Sequence, residues 1–155
     1  MGLLKELRLR LRPPKLEDPD FGPLLFMYIP RDPSKSYWEA EWPFPPTGTQ
    51  ISISLPGSVE GPTEAGRQFY LAIPARFEEI LRTVQPILDR VFRESLGRPL
   101  HSHLWQDVKL AGFGVEDPDV TPPSWDIAFE TTGEKWLGIL IPFVGNEPQE
   151  AVIDT

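Results

Sequence analysis

Apolar residues recur at three- and four-residue steps in one stretch of this chain, from Phe69 to Phe92, whereas the other periodic stretches repeat at two-residue steps. A period near 3.6 marks a helix with one apolar face, and a period of two marks a half-buried strand. The chain is therefore limited to a fold in which one long amphipathic helix packs on strands. Phe69, Ile73, Phe77, Ile80, Leu81, Val84, Ile87, Leu88, Val91 and Phe92 form the stripe, with Arg67, Arg76, Glu79, Arg82, Asp89, Arg90 and Arg93 on the other side. Gly61-Pro62 is the expected helix start. Pro74 predicts a break and Pro86 a kink, since each removes a backbone donor. Gly97, with Pro99 just beyond, predicts the stop, and Ala75 to Leu96 would run about 33 Å at 1.5 Å per residue.

Leu7, Leu9 and Leu11 alternate with Arg8, Arg10 and Arg12, the pattern of a strand ended by Pro13-Pro14, and Leu24 to Ile29 is a second strand between Pro23 and Pro30. A hairpin is expected between Tyr37 and Leu55, with Trp38, Ala40, Trp42 and Phe44 on one face of its first arm and Pro45-Pro46-Thr47-Gly48 at the turn. After the helix, Leu104, Val108 and Leu110 alternate with Trp105, Asp107 and Lys109, and the polar, proline-rich segment Gly114 to Pro123 reads as a loop. Trp125, Ile127 and Phe129 begin the next strand. Trp136 to Phe143, apolar on both faces, is expected at the centre of the sheet, and a last strand is expected around Ala151 to Ile153. The result is an α+β fold, an antiparallel sheet of roughly seven or eight strands on one long kinked helix, in the order β-β-β-β-α-β-β-β(-β). At 155 residues the chain reads as one globular domain, 1–155, burying about 70% of its unfolded surface. If the central strand is apolar on both faces, the second sheet face needs a cover, from the N-terminal strands or another chain.

Several classes of chemistry lack their residues. There is no cysteine, so disulfide and thiolate sites are excluded, and the absence suits a reducing compartment. Gly57-Ser58-Val59-Glu60-Gly61 lacks the spacing of a nucleophile elbow, and Gly112-Phe113-Gly114 lacks the third glycine of a dinucleotide loop. Glu39 and Glu41 share a strand face without an orienting partner and read as solvated. Glu116-Asp117-Pro118-Asp119 does not match a calcium loop. The two histidines, His101 and His103, would project from one face of a strand with Cβ atoms about 7 Å apart, so a metal held by them and Asp107 is the weak candidate. With no third histidine, no metal or other cofactor is expected. Trp38, Trp42, Trp125 and Trp136 fall at core positions, whereas Trp105 lies on a polar strand side and is the candidate exposed aromatic.

Charge is unevenly spread over a net of -8. From Met1 to Lys15 five bases face one acid, a balance of +4 that leaves -12 for the rest; from Ala111 to Thr155 nine acids face Lys135 alone. Such a surface repels nucleic acid and anionic lipid and attracts a basic protein. The three arginines near the start are expected to pair with the acidic body. The N-terminal residues lack a signal-peptide core, Leu7 occupies the Ser/Thr position of a myristoylation signal, and no stretch is long and apolar enough to span a membrane, so the chain reads as cytoplasmic. These features favour a non-enzymatic acidic protein that docks on a basic protein partner through Trp105, Glu116, Asp117, Asp119, Asp126 and Glu130. In style the chain resembles bacterial immunity proteins that inhibit toxins, though no motif ties it to one such family. The alternative is a small-ligand or metal-dependent enzyme with its site near His101, His103, Trp105 and Asp107. Oligomeric state is left open.

Overall fold

The apolar stripe becomes two consecutive helices in the computed structural model, which describes residues 2–155. In chain order the elements are α1 (Leu3–Leu11), β1 (Lys15–Asp18), β2 (Gly22–Met27), β3 (Tyr37–Phe44), β4 (Thr49–Ser58), β5 (Gly61–Pro62), α2 (Glu64–Leu71), α3 (Ile73–Leu96), β6 (Val108–Val115), β7 (Ser124–Thr131), β8 (Gly138–Val144), β9 (Glu147–Pro148) and β10 (Val152–Asp154). The helix breaks at Ala72, just before Pro74, because a proline early in α3 needs no intrahelical donor. Gly97 ends α3 in the left-handed conformation, with φ 69°. Pro86 sits on the exposed side of an otherwise continuous helix of 24 residues, about 36 Å long.

The sheet is mostly antiparallel, in the order β1-β2-β3-β4-β6-β7-β8-β10, with β5 on β4 and β9 on β8. One pair is parallel. Helices α2 and α3 carry the chain across from β4 to β6, which then runs beside β4 in the same direction. Alternate residues of each strand point at α3: Leu24, Ala40, Ile53, Phe113, Ile127 and Ile141 form one buried row across six strands. Ile73, Phe77, Ile80, Val84, Leu88 and Phe92 meet that face from α3. Full burial of such a side chain contributes roughly 1.5 to 3 kcal/mol. Tyr70 is buried from α2, and its hydroxyl donates to the Ser54 carbonyl oxygen at 2.6 Å. Burial pushes the Tyr70 pKa up.

The structure corrects five expectations. The segment around Leu7, Leu9 and Leu11 is helix α1, not a strand: leucine, lysine, glutamate and arginine are good helix formers, and only Leu9 of the three is buried. Gly61-Pro62 is strand β5, and Thr63 caps α2 instead, its Oγ1 accepting from the Gly66 N–H at 3.1 Å. Leu104–Gln106 is a 3-10 turn, so the strand begins only at Val108. β8 lies one strand from the sheet edge; β4 and β6 hold the centre. Trp136 precedes β8 and is exposed, its ring lying over Gly138 and its Nε1 donating to Glu130 at 3.4 Å. The outer apolar side of that strand therefore belongs to a surface, not to a second core.

Candidate functional site

The face of the sheet turned away from α3 carries neither α2 nor α3; the short 3-10 turn Pro33–Lys35 borders it at one end, and the strands between present a shallow trough between two acidic walls. Its floor follows from small residues aligned across the central strands. Glu39 of β3 pairs with Ser54 of β4, Ser54 with Gly114 of β6, and Gly114 with Asp126 of β7. The next row runs Glu41, Ser52, Gly112, Ala128 and Leu140. Gly112 is demanded by the close parallel approach of β4, since a Cβ there would lie 2.0 Å from the Ser52 carbonyl oxygen. The register shifts beside it, between Leu110 and Gly112, a bulge that turns Gly112 and Gly114 onto the trough side.

Carboxylates rise on both sides of that floor. Glu39 and Glu41 stand on β3, while Asp126 and Glu130 alternate on β7 with the buried Trp125, Ile127 and Phe129. The Asp126 carboxylate lies over Gly114, where an added Cβ would meet its Oδ1 at 3.1 Å. Its pKa is pushed up to about 6, first by burial and then by the negative charge of Glu116, against a hydrogen bond from the Gly114 backbone. Glu130 accepts an ion pair from Lys109 at 3.2 Å. A cavity of about 260 Å³ lies where Lys35, Tyr37, Ser54, Pro56, Val115 and Glu116 come together, so the Lys35 base and the Glu116 acid share its lining.

The structure brings together Glu116, Asp126 and Glu130 on or beside this face. Asp117 and Asp119 follow Glu116 in the exposed loop, where the Asp119 N–H donates to Asp117 Oδ1 at 3.3 Å. Trp105 stands apart from them. It leaves the 3-10 turn on the helix side of the sheet, 37% exposed, and stacks on Phe77 with ring centroids 6.4 Å apart. His101 and His103 are exposed loop residues, not neighbours on a strand face, and the His103 N–H donates to His101 Nδ1 at 2.9 Å. Asp107 is already engaged: it holds the Arg98 guanidinium at 2.9 and 3.2 Å and accepts from the His101 N–H at 2.6 Å. The Arg98 hydrogen bonds hold its carboxyl below the usual range. Its geometry is that of a clamp on the segment between α3 and β6. Among the described residues no three metal-ligating side chains stand together.

Two features of the site were not anticipated. The trough depends on β4 and β6 being parallel neighbours, and the sequence signal for it is the pair Gly112 and Gly114, two apart on one strand face. The other is the exposed apolar side of α1, hidden by reading that segment as a strand. A larger groove of about 770 Å³ runs between α3 and the C-terminal residues, with Ile87, Val91, Ala151 and Ile153 in its lining and Arg90 and Glu94 paired at 3.0 Å. Among the described residues, no helix is long and apolar enough to cross a membrane. No protein-family model matches the chain, and no curated protein or solved structure does so either.

Proposed function

We propose that this chain is a binding protein that docks on a basic protein partner through the face of its sheet turned away from α3. The observation that carries the proposal is the trough itself: Glu39 and Glu41 on one wall and Asp126 and Glu130 on the other, with Glu116, Asp117 and Asp119 continuing the negative charge into the adjoining loop. Lys109 offsets Glu130, and the remaining excess of carboxylates on an open surface raises the encounter rate with a cationic one and disfavours nucleic acid. Trp105 is left out of the surface, because a partner lying on the trough cannot reach the helix side. A toxin-blocking immunity protein acting in the bacterial cytoplasm is the form of this proposal that suits the chain's size, acidity and α+β architecture. The test uses an oligoarginine peptide as the cationic probe, with association followed over a salt series. Changing Glu116, Asp117 and Asp119 together to Gln, Asn and Asn should slow association and flatten its salt dependence, with folding unchanged. Association indifferent to both salt and the triple change would refute it.

A further inference from the structure

We propose that a second copy of this chain occupies the acidic trough, laying its α1 along the floor; the inference rests on the acidic face being a docking surface and names one occupant for it. Helix α1 has two unlike sides. At 100° per residue Leu3, Leu4, Leu7 and Leu11 fall on one arc, and Leu9 lies on the opposite side, buried in the core. The four leucines on the arc are between 40% and 83% exposed. Arg10 borders this arc on one flank and Arg8 on the other, and Arg12 follows as the cap residue just past the helix, its N–H on the Arg8 carbonyl oxygen. Among the described residues none of the ion pairs involves Lys5, Arg8, Arg10 or Arg12. The sequence expectation that Arg8, Arg10 and Arg12 pair with their own acidic body is therefore not what the structure shows. The same chain thus exposes an apolar ridge edged with cations and a trough edged with anions.

The two surfaces agree in width and charge. Strands β3 and β7, which carry the walls, are three strand spacings apart, about 14 Å, and a helix with its side chains is about 10 to 12 Å across. Large leucine side chains meet a floor of Ser52, Ser54, Gly112, Gly114 and Ala128. Arg8 and the capping Arg12 carry two like charges at the end of α1, and Glu39 and Glu41, two residues apart on a strand, lie roughly 7 Å from each other. Arg10 then faces the Asp126 wall. Each chain carries both surfaces, and the proposed assembly is the closed one, a two-fold dimer with two reciprocal contacts.

Sedimentation of the full chain from low to high micromolar concentration tests this. The expected result is a dimer at low salt that dissociates as salt rises. The Leu4→Asp, Leu11→Asp variant should be monomeric with an unchanged melting transition, since both residues are exposed. Reversing Arg8 and Arg12 to Glu should weaken the dimer at least about tenfold, and adding Glu39→Arg and Glu41→Arg should recover that loss. A chain that stays monomeric at low salt overturns the dimer. So does a dimer indifferent to these changes, or a monomer that sediments with anionic phospholipid vesicles through its leucines. A monomer that still binds the oligoarginine peptide on the trough overturns only the self-association and leaves the acidic docking face standing.

Discussion

Asp126 offers the sharpest test of the electrostatics of the trough. Its carboxyl has a folded-state pKa of about 6 against an ordinary value of 3.8, with burial the largest cause and Glu116 the second. A raised carboxyl pKa means that the folded state resists ionisation. Below about pH 4 the group is protonated in both states and costs nothing. As pH rises from about 4 to about 6 the unfolded chain ionises first, so folding stability falls across that window and stays reduced above it. At 1.36 kcal/mol per pH unit that shift has an upper limit of about 3 kcal/mol, and because the carboxyl is partly exposed, solvent screening brings the expected reduction at neutral pH to about 1 to 2 kcal/mol. Asp126→Asn keeps the shape and the hydrogen bond from Gly114 while removing the ionisation. Urea denaturation of both proteins at a series of pH values should give coincident stabilities near pH 4 and a variant that is more stable above pH 6. Glu116→Gln should narrow the gap without closing it, because burial is the larger cause. A gap independent of pH, or one in which the natural protein gains on the variant as pH rises, would refute the reasoning.

Other outcomes follow from the packing. Leu88→Ala should cost about 2 to 5 kcal/mol in chemical denaturation, since Leu88 is fully buried on the core face of α3; a loss below about 0.5 kcal/mol, the scale of surface substitutions, would contradict that placement. Gly112→Ala should destabilise the chain and increase hydrogen exchange in β4 and β6, because its methyl would strike the Ser52 carbonyl oxygen; unchanged exchange there would contradict the close approach. Trp105→Ala should lower stability by about 1 kcal/mol through the lost stacking on Phe77 while leaving oligoarginine binding unchanged; weakened binding would return Trp105 to the docking surface.

Elements whose residues answer to one period were legible in the sequence. α3 combines an unbroken apolar stripe with proline and glycine at its ends, and β3, β4 and β7 alternate strictly, so their inward faces followed directly. The segment at Leu7, Leu9 and Leu11 misled because its leucines satisfy two periods at once. Leu3, Leu7 and Leu11 recur every four residues, and burial of Leu9 alone decides between them. Trp105 misled because strand alternation was extended back across a 3-10 turn. The trough was beyond sequence reasoning for a topological cause. Ser54 and Gly114 are sixty residues apart along the chain, and they join the Glu39 and Asp126 strands into one row only through the parallel pairing of β4 with β6. Periodicity says which way each side chain points and nothing about which strands lie side by side.

The central claim is that cationic ligands are drawn to the sheet face turned away from α3. Titrating isotope-labelled chain with the oligoarginine peptide and following each backbone amide by NMR tests it most directly. The account predicts shifts that concentrate at Glu39, Glu41, Ser54, Gly114, Asp126 and Glu130 and in the loop from Glu116 to Asp119, and that vanish as salt rises. Shifts concentrated instead along the exposed side of α3, or spread evenly over every acidic residue of the chain, would contradict it.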